Sequence, residues 1–224
     1  MYVTIPTDGA AAAPFPTFTN TRLKSSGTHV KTGSYLYFEG DDVKWLYLVK
    51  SGVLRLTRML EDGRRQVIAF GYPGDVVGFP AECQHHTDCD VLVDADLQPF
   101  SLSCLEGNCS HQETHRQLLQ AALREISGMQ DHFMMLGRKS AVEKVASFLC
   151  VLTDRVGTKV GNYSQVELPM TRTDIADFLG LTTETVCRTL TQMRRDDIIA
   201  IDNIQTIIIQ RPTVLLDLSL GDEK

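Results

Sequence analysis

The sequence predicts an α+β fold in three parts: an N-terminal β-roll, a long central helix and a C-terminal winged helix-turn-helix. Three observations predict it. Short apolar runs alternate with glycine-containing turns over residues 30–103. Apolar residues then recur every three or four positions from Gln112 to Leu136. Finally, residues 166–211 have the pattern of a helix, a glycine turn, a second helix and a hairpin.

The N-terminal part has the pattern of many short, evenly spaced strands. Residues 53–58 alternate partly between apolar and polar side chains, as in a half-buried strand. Asp62-Gly63 is a strong hairpin signal. The glycines that separate the runs, at intervals of roughly ten residues, are Gly40, Gly52, Gly63, Gly74 and Gly78. Such strands are typical of a closed or rolled β-barrel.

The central helix carries a narrow apolar stripe. Its spacings alternate between three and four, an a/d pattern over about two and a half heptads. The members of the stripe are Leu119, Ala122, Ile126, Met129, Phe133 and Leu136. A narrow stripe favours a helix that dimerises with a second copy, although packing on the chain's own roll is the alternative. Gly137 is predicted to end this helix, and Ser140 with Glu143 to form the capping box of the next.

The C-terminal part is predicted to be a winged helix-turn-helix, because each element boundary carries a cap, a glycine or a turn pair. A polar connection is predicted at 157–165, followed by a strand at 166–168. The first helix starts at the capping box of Thr171 and Asp174 and stops at Gly180. The second helix is capped by Thr182 and runs from Thr183 to about Arg195, and two strands then pair around Asp202-Asn203.

The second of these helices is the candidate DNA-recognition helix. In a helix-turn-helix, the N-terminal residues of the second helix face base edges in the major groove. Positions i, i+3 and i+4 share a helix face, which brings Glu184, Cys187 and Arg188 together, with Thr183 beside them. Arg188 can pair bidentately with guanine, and Glu184 can accept a hydrogen bond from cytosine N4.

Three further residues, Thr171, Arg172 and Thr189, are candidates for phosphate contacts. The alternative for Glu184 and Arg188 is an ion pair on a solvated face, worth only about 0.3–0.5 kcal/mol. Residues 165–211 hold five basic and seven acidic residues, so this part is not basic. DNA binding would therefore rely on a local face and on a second copy in a dimer.

Composition limits the remaining classes of protein. The chain has 224 residues, 43% of them hydrophobic, and a net charge of −6, which argues against a surface that is positive throughout. It lacks an apolar run of transmembrane length and a signal-peptide pattern. Its six cysteines lack close pairing, which favours reduced thiols over disulfides. The predicted domains are a flexible arm at 1–28, a sensor-like β-roll at 29–109, a dimerisation helix at 110–137 and a DNA-binding domain at 138–224.

Three segments resemble a known family. They are EDGRRQVIAFGYPGDVVGF in the roll, LGRKSAVEKVASFL after the central helix, and LPMTRTDIADFLGLTTETVCRTLTQMRRDDIIAI in the winged helix. On these segments the chain resembles the Crp/Fnr family of bacterial transcription regulators. The resemblance implies a cyclic-nucleotide-binding-like roll and a homodimer joined by the central helix. It also implies binding to an inverted-repeat operator in double-stranded DNA and recruitment of RNA polymerase.

The recognition helix resembles the Fnr and FixK branch of that family, which reads a TTGA-like half-site with a Glu-x-x-Ser-Arg pattern. Glu184 and Arg188 match this pattern, and Cys187 stands in the place of the serine. The Crp branch has an additional arginine just before the glutamate, where this chain has Thr183. The resemblance therefore implies Fnr-like readout.

Cys187 has two interpretations. One is a small residue that is merely tolerated in the place of the serine; a thiol there is a weaker donor than a hydroxyl but a good apolar contact for a thymine methyl group. The other is a redox-sensitive contact, because Arg188 and the helix N-terminus both favour the thiolate. Oxidation would then add bulk or negative charge beside the DNA phosphates and weaken binding.

The roll lacks the sequence patterns of two ligands. In the Crp branch, an arginine in the segment after a Gly-Asp-x-x-Gly motif holds the phosphate of cAMP. Residues 74–78 match that motif, but the segment FPAECQHHTDCD that follows contains no arginine, so cAMP binding is not expected. An iron–sulfur cluster needs about four thiolates, and the resemblance places three of them in an N-terminal arm. Residues 1–82 contain no cysteine, and the spacing of the available set is unlike that motif; the set is Cys83, Cys89, Cys104 and Cys109.

A metal or haem stays open as an alternative, because several soft ligands lie close in sequence. They are Cys83, His85, His86 and Cys89, with His111 and His115 further along. Incidental surface histidines are the other explanation. The resemblance to FixK-like regulators implies activity without a small ligand, and we take that as the default.

The sequence thus predicts a cytoplasmic, homodimeric transcription regulator that activates transcription, is not an enzyme and does not enter a membrane. One alternative is a ligand-, haem- or metal-dependent sensor of the same family. A remote alternative is a cupin-like metalloenzyme, but its His-x-His pair is missing because His85 and His86 are adjacent.

Overall fold

The computed structural model describes residues 27–105 and 112–221, and these residues form two compact units. The units divide between Ser127 and Gly128, inside the long central helix. Most of the predicted N-terminal arm, together with Cys109 and His111, lies outside the described residues. No helix of the described part is both long and apolar enough to cross a membrane.

The first unit contains a rolled antiparallel sheet. Its elements are β1 (Thr28–Val30), β2 (Tyr35–Tyr37), β3 (Trp45–Met59), β4 (Arg65–Gly71), β5 (Val76–Val77), β6 (Pro80–Ala81), β7 (Gln84–His85), β8 (Asp88–Ser101) and the short helix α1 (Leu102–Leu105). The sheet runs in the order β1-β8-β3-β4, with β2 paired to β8 and β5 paired to β3, while β6 and β7 form a separate hairpin. Because β1 and β4 end that order without pairing to each other, the roll, and not the closed barrel, is confirmed.

One long strand, β3, replaces two short ones that the glycines predicted. It covers 15 residues and pairs with β8 along most of its length. Gly52 lies inside it with φ of 86°, and a Cβ atom at this position would collide with the backbone of Asp94. The pairing register shifts on both sides of Ser51. Gly52 therefore makes a bulge within one strand, not a turn between two.

The turn between β6 and β7 is strained, because Glu82 and Cys83 both have positive φ angles, 51° and 70°. Such a backbone disfavours residues with a Cβ atom. We expect Cys83→Gly to raise the free energy of unfolding by about 0.5–1 kcal/mol, measured by urea denaturation. The control is Ala81→Gly in the neighbouring strand, which should lower stability. A gain of stability from both replacements would contradict the strain argument.

Two helices follow the roll, α2 (Gln112–Arg138) and α3 (Ala141–Val156). Gly137 does not end α2, because the helix continues through it. The predicted capping box of α3 is confirmed: the Ser140 amide donates to the Glu143 carboxylate at 2.9 Å, and the Glu143 amide donates to the Ser140 hydroxyl at 3.4 Å.

One face of α2 is buried, and the predicted dimer stripe is on another. Leu118 and Ala121 pack in the core of the first unit with residues of β3 and β8. Ala122 and Leu136 of the stripe are half-buried. The exposed members, with the exposed fraction of each, are Leu119 (46%), Ile126 (52%), Met129 (47%) and Phe133 (76%). These four side chains therefore leave an apolar surface on α2 that is open to solvent.

The second unit is a winged helix-turn-helix with an added hairpin and helix. Beyond α3 its elements are β9 (Thr158–Val160), β10 (Tyr163–Glu167), α4 (Arg172–Leu179), α5 (Thr183–Arg195), β11 (Ile199–Ile201), β12 (Thr206–Ile209) and α6 (Pro212–Leu220). The sheet order is β11-β12-β10-β9. The predicted pairing of β11 with β12 is confirmed. The predicted polar connection is wrong, because β9 and β10 form a hairpin there, and α6 was not predicted.

A buried histidine joins α2 to α4 within this unit. The His132 ring is stacked on Phe178, with ring centroids 4.3 Å apart. Burial lowers the pKa of His132 to about 4, although a hydrogen bond with the Phe178 backbone opposes that shift. His132 is therefore neutral in the folded protein at neutral pH.

Acid is expected to destabilise the fold through His132. The folded state binds the proton more weakly than the unfolded state, whose ordinary histidine pKa is near 6.5. The contribution of His132 is therefore complete above about pH 6.5 and is lost as the pH falls towards 4, by on the order of 1–3 kcal/mol. We would compare urea unfolding at pH 7 and pH 5 for the parent and for His132→Phe. The variant should lose less stability between the two pH values, and an equal loss would contradict the argument.

Candidate nucleic-acid interface

Local caps fix the start of both helices of the helix-turn-helix. The Thr171 hydroxyl accepts a hydrogen bond from the Asp174 amide at 3.1 Å, and the Asp174 carboxylate accepts one from the Thr171 amide at 2.9 Å. Between the helices, Gly180 takes the left-handed conformation with φ of 61°. The Thr182 hydroxyl then accepts a hydrogen bond from the Thr185 amide at 3.1 Å. The predicted caps and the predicted glycine stop are all confirmed.

The recognition helix α5 has one buried face and one exposed face. Val186, Leu190 and Met193 are buried in the second unit. The opposite face is exposed at its N-terminal end, and the residues there are Thr183, Glu184, Cys187 and Arg188. The four residues that the sequence proposed for base contacts are thus available at the surface of one helix.

Glu184 and Arg188 do not neutralise each other. Within the described part of the chain, neither side chain forms an ion pair or a hydrogen bond. The alternative of a simple i,i+4 ion pair is therefore not what the structure shows. Both groups are free to bind a polar ligand such as the edge of a base pair.

The three predicted phosphate contacts are placed differently from one another. Thr189 is only 7% exposed, so it packs inside the unit and does not face a phosphate. Thr171 is exposed, but its hydroxyl serves the capping box of α4. Arg172 is half-buried, and its Nη2 donates to the carbonyl oxygen of Ile204 at 3.1 Å. Arg172 thus links the start of α4 to the turn between β11 and β12.

Two other threonines, Thr173 and Thr185, lie at the same end of the helices and were not among the predicted residues. The Thr183 hydroxyl donates to the hydroxyl of Thr173, at 3.4 Å, and Thr173 is exposed. Thr185 is half-buried, and its hydroxyl lies 2.8 Å from that of Thr182. Threonines in the first turn of each helix were the available signal, because such positions approach the DNA backbone in a helix-turn-helix.

Cys187 is exposed and lies close to a second cationic group. Burial lowers the pKa of the Arg172 guanidinium, and the negative charge of an ionised Cys187 opposes that shift. Arg172 and Cys187 are therefore within electrostatic reach of each other. The sequence pointed only to Arg188 as the cation beside this thiol.

The cysteines and histidines of the roll do not form a metal centre in the described residues. His85 is buried against Tyr37, with the two rings stacked at 3.6 Å. Cys89 is also buried, and burial raises its pKa to about 12, so its thiolate is disfavoured. Cys83 is exposed at the hairpin turn. No group of three or more His, Cys, Asp or Glu side chains is placed to bind a metal in this part of the chain.

Two families of known domains match this chain, one in each unit. Residues 28–103 match the cyclic nucleotide-binding domain, and residues 143–218 match the Crp-like helix-turn-helix domain. The nitrogen fixation regulation protein FixK of Rhizobium meliloti is 39% identical over 188 residues, which cover 84% of each chain. The transcriptional activatory protein AadR of Rhodopseudomonas palustris is 38% identical over 179 residues, 77% of this chain and 74% of that protein.

A solved structure supports the same assignment. The structure of FixK2 from Bradyrhizobium japonicum superposes with a TM-score of 0.78 at 32% identity, and the match covers 88% of this chain and 98% of that one. The fold and the exposed face of α5 define a transcription regulator with a helix-turn-helix DNA-binding domain. The chain belongs to the Crp/Fnr family. The relatives named are regulators, in agreement with the prediction that the chain is not an enzyme.

The roll does not fit a cyclic nucleotide, despite its match to that domain. Residues 72–89 contain no lysine or arginine to hold a cyclic phosphate. Burial lowers the pKa of His85, which keeps the ring neutral, and its ring packs against Tyr37. Arg55 on β3 is already paired with Asp90, at 2.8 Å. An anionic ligand would therefore enter a site that offers it no free cation among these residues.

Proposed function

We propose that this chain binds, as a homodimer, an inverted repeat with TTGA-like half-sites and activates transcription from that position by contacting RNA polymerase. The observation that carries the proposal is the exposed face of Glu184, Cys187 and Arg188 on a helix whose other face is buried. These residue types match the Fnr-like pattern. The relatives AadR, a transcriptional activatory protein, and FixK, a regulation protein, support the proposal that this chain activates transcription.

The proposed interface is smaller than the set of residues that the sequence suggested. Glu184, Cys187 and Arg188 contact base edges, and Thr183 lies beside them. Thr171 contacts a phosphate with its exposed surface. Arg172 contributes indirectly, because it holds the turn between β11 and β12 through its hydrogen bond to Ile204. Thr189 takes no part because it is buried. Each α5 presents only one arginine on this face, so tight binding requires both protomers.

The protomers meet along the exposed stripe of α2. Four of its members are exposed apolar side chains, and an apolar stripe of this kind is stabilised by a second helix that covers it. The roll needs no small ligand in this proposal, as in the default that the resemblance implies. A regulator that meets chromosomal DNA and RNA polymerase works in the cytoplasm, and we place the protein there.

Operator binding by the reduced protein tests the proposal. Purified full-length protein, with its metal content measured, is titrated into a fluorescent duplex that carries two inverted TTGA half-sites. The control duplex has scrambled half-sites at the same salt concentration. We expect the specific duplex to bind about 1,000-fold more tightly or better. Equal affinity for the two duplexes would reject the proposal, and binding only after a metal or haem is added would favour the sensor alternative.

Oxidation of Cys187 is expected to weaken operator binding. Attack of the thiolate on hydrogen peroxide gives a sulfenic acid and hydroxide, and further peroxide gives an anionic sulfinate. A negative charge at this position would repel the DNA phosphates. The parent should therefore lose operator affinity after peroxide treatment, whereas Cys187→Ser should bind before and after it.

The other described thiols provide the control for this experiment. Cys83→Ser removes a second exposed thiol that lies in the roll, and this variant should stay as sensitive to peroxide as the parent. If Cys187→Ser and the parent lose the same affinity after oxidation, Cys187 is not the sensitive group.

A further inference from the structure

The last turns of α2 belong to the DNA-binding unit and not to the unit of the roll. The division between the units falls between Ser127 and Gly128, so residues 128–138 are grouped with α3 to α6. A segment in this position can act as a rigid connection between a dimer contact and the helix-turn-helix. Whether it does so depends on how firmly it is attached.

The first attachment is a row of aromatic rings. His132 of α2 is stacked on Phe178 of α4 with ring centroids 4.3 Å apart, and it also forms a hydrogen bond with the Phe178 backbone. Phe178 in turn packs against Phe148 of α3 at 5.8 Å. All three rings are buried. Three helices are thus joined through rings whose packing leaves little room for rotation.

The second attachment lies one helical turn further on. A Cβ atom on Gly180, in the turn of the helix-turn-helix, would lie 3.5 Å from Cδ2 of Leu136. The turn therefore rests directly on α2. This contact explains why Leu136, a member of the predicted dimer stripe, is only half-exposed.

The third attachment holds the end of α2. The Lys139 ammonium donates to the Ser147 hydroxyl of α3 at 2.7 Å and to the Ser219 carbonyl of α6 at 2.6 Å. The connection between α2 and α3 is thereby tied to the C-terminal helix. Together the three attachments hold residues 128–139 against α3, α4, the turn and α6.

The opposite face of the same segment is the one that meets the other protomer in the proposed dimer. Met129 and Phe133 are exposed there, and Phe133 directly follows His132. One short helical segment therefore carries both the subunit contact and the support of α4. Its geometry fixes where each α5 lies relative to the two-fold axis of the dimer.

We propose that His132 is a positioning residue that sets the spacing of the two half-sites. It touches neither DNA nor the other protomer, and it acts by holding α4, and with it α5, on residues 128–138. This inference rests on the proposed function, that is, on a dimer that reads an inverted repeat. One added base pair shifts a half-site by about 3.4 Å and rotates it by roughly 35°, which a firmly held α5 does not tolerate.

The test compares spacing preference, which a purely structural role would leave unchanged. Parent, His132→Ala and His132→Phe are titrated into three duplexes that carry the same half-sites, with the spacer that the parent prefers and with one base pair fewer or more. We expect His132→Ala to remain a dimer while its preference for the best spacer falls by about fivefold or more. His132→Phe keeps a ring against Phe178 and should keep most of the preference.

A matched destabilising variant separates stability from positioning. Val166→Ala opens a cavity in β10 of the same unit, and it should lower stability without changing the spacing preference. If His132→Ala keeps the spacing preference of the parent, or if Val166→Ala loses it equally, the inference is wrong. If the parent binds none of the duplexes, the proposed function itself has failed.

Discussion

Arg188→Ala is expected to remove sequence-specific operator binding while leaving the fold intact. The guanidinium is exposed and has no partner among the described residues, so its loss leaves no buried group unpaired. A bidentate contact with guanine is worth about 1–3 kcal/mol. Two protomers should therefore lose about 2–6 kcal/mol, or roughly 30-fold in affinity at the least. Titration of the specific and scrambled duplexes at one salt concentration measures the loss.

Two control variants show which property of Arg188 matters. Arg188→Lys keeps the charge but not the planar fork, so it should retain non-specific affinity and lose most discrimination between the duplexes. Arg194→Ala removes an exposed arginine from the last turn of the same helix, and it should leave discrimination unchanged. Unchanged operator affinity in Arg188→Ala would contradict the role of this residue.

The elements that the sequence predicted best are those with local signals. The capping boxes of α3 and α4, the Thr182 cap and the left-handed Gly180 involve residues at most a few positions apart. Their energetics are set within one helical turn. The helix-turn-helix could therefore be placed almost to the residue, and with it the exposed face of α5.

The predictions that failed depend on partners that are distant in sequence. A glycine such as Gly52 is typical of a turn in the sequence, and only the pairing of β3 with β8 shows that it forms a bulge. α6 carries apolar residues on its exposed side, Leu216 and Leu220, as well as on its buried side, so it lacked the amphipathic pattern by which a surface helix is found.

The same reason explains the misplaced site residues. Thr189 has a polar side chain that nonetheless lies on the buried side of α5. Arg172 was a candidate for a phosphate contact, whereas it donates to the carbonyl oxygen of Ile204, 32 positions along the chain. Neither the burial of Thr189 nor the hydrogen bond of Arg172 can be predicted from the neighbouring sequence. The exposed face of α5 could be predicted from its i, i+3, i+4 spacing, whereas the distant partner of Arg172 could not.

Phe133→Lys is expected to separate the dimer and, through it, to abolish tight operator binding. Phe133 is the most exposed member of the α2 stripe, and its burial by a second copy would remove a large apolar side chain from water. The replacement removes that burial, worth about 3 kcal/mol, and brings two like charges together across a two-fold axis. The dimer should weaken by about 100-fold or more. Sedimentation velocity over a range of protein concentrations measures the change.

The rest of α2 provides the comparison. Ile126→Lys should act like Phe133→Lys, because Ile126 is also an exposed member of the stripe. Gln130→Lys adds the same charge at an exposed position outside the stripe and should leave the dimer intact. The monomeric variants should keep a folded helix-turn-helix but bind a single half-site weakly, because one α5 presents only one arginine to DNA. A dimer that survives both stripe variants would mean that the protomers meet elsewhere and that the exposed stripe has another partner.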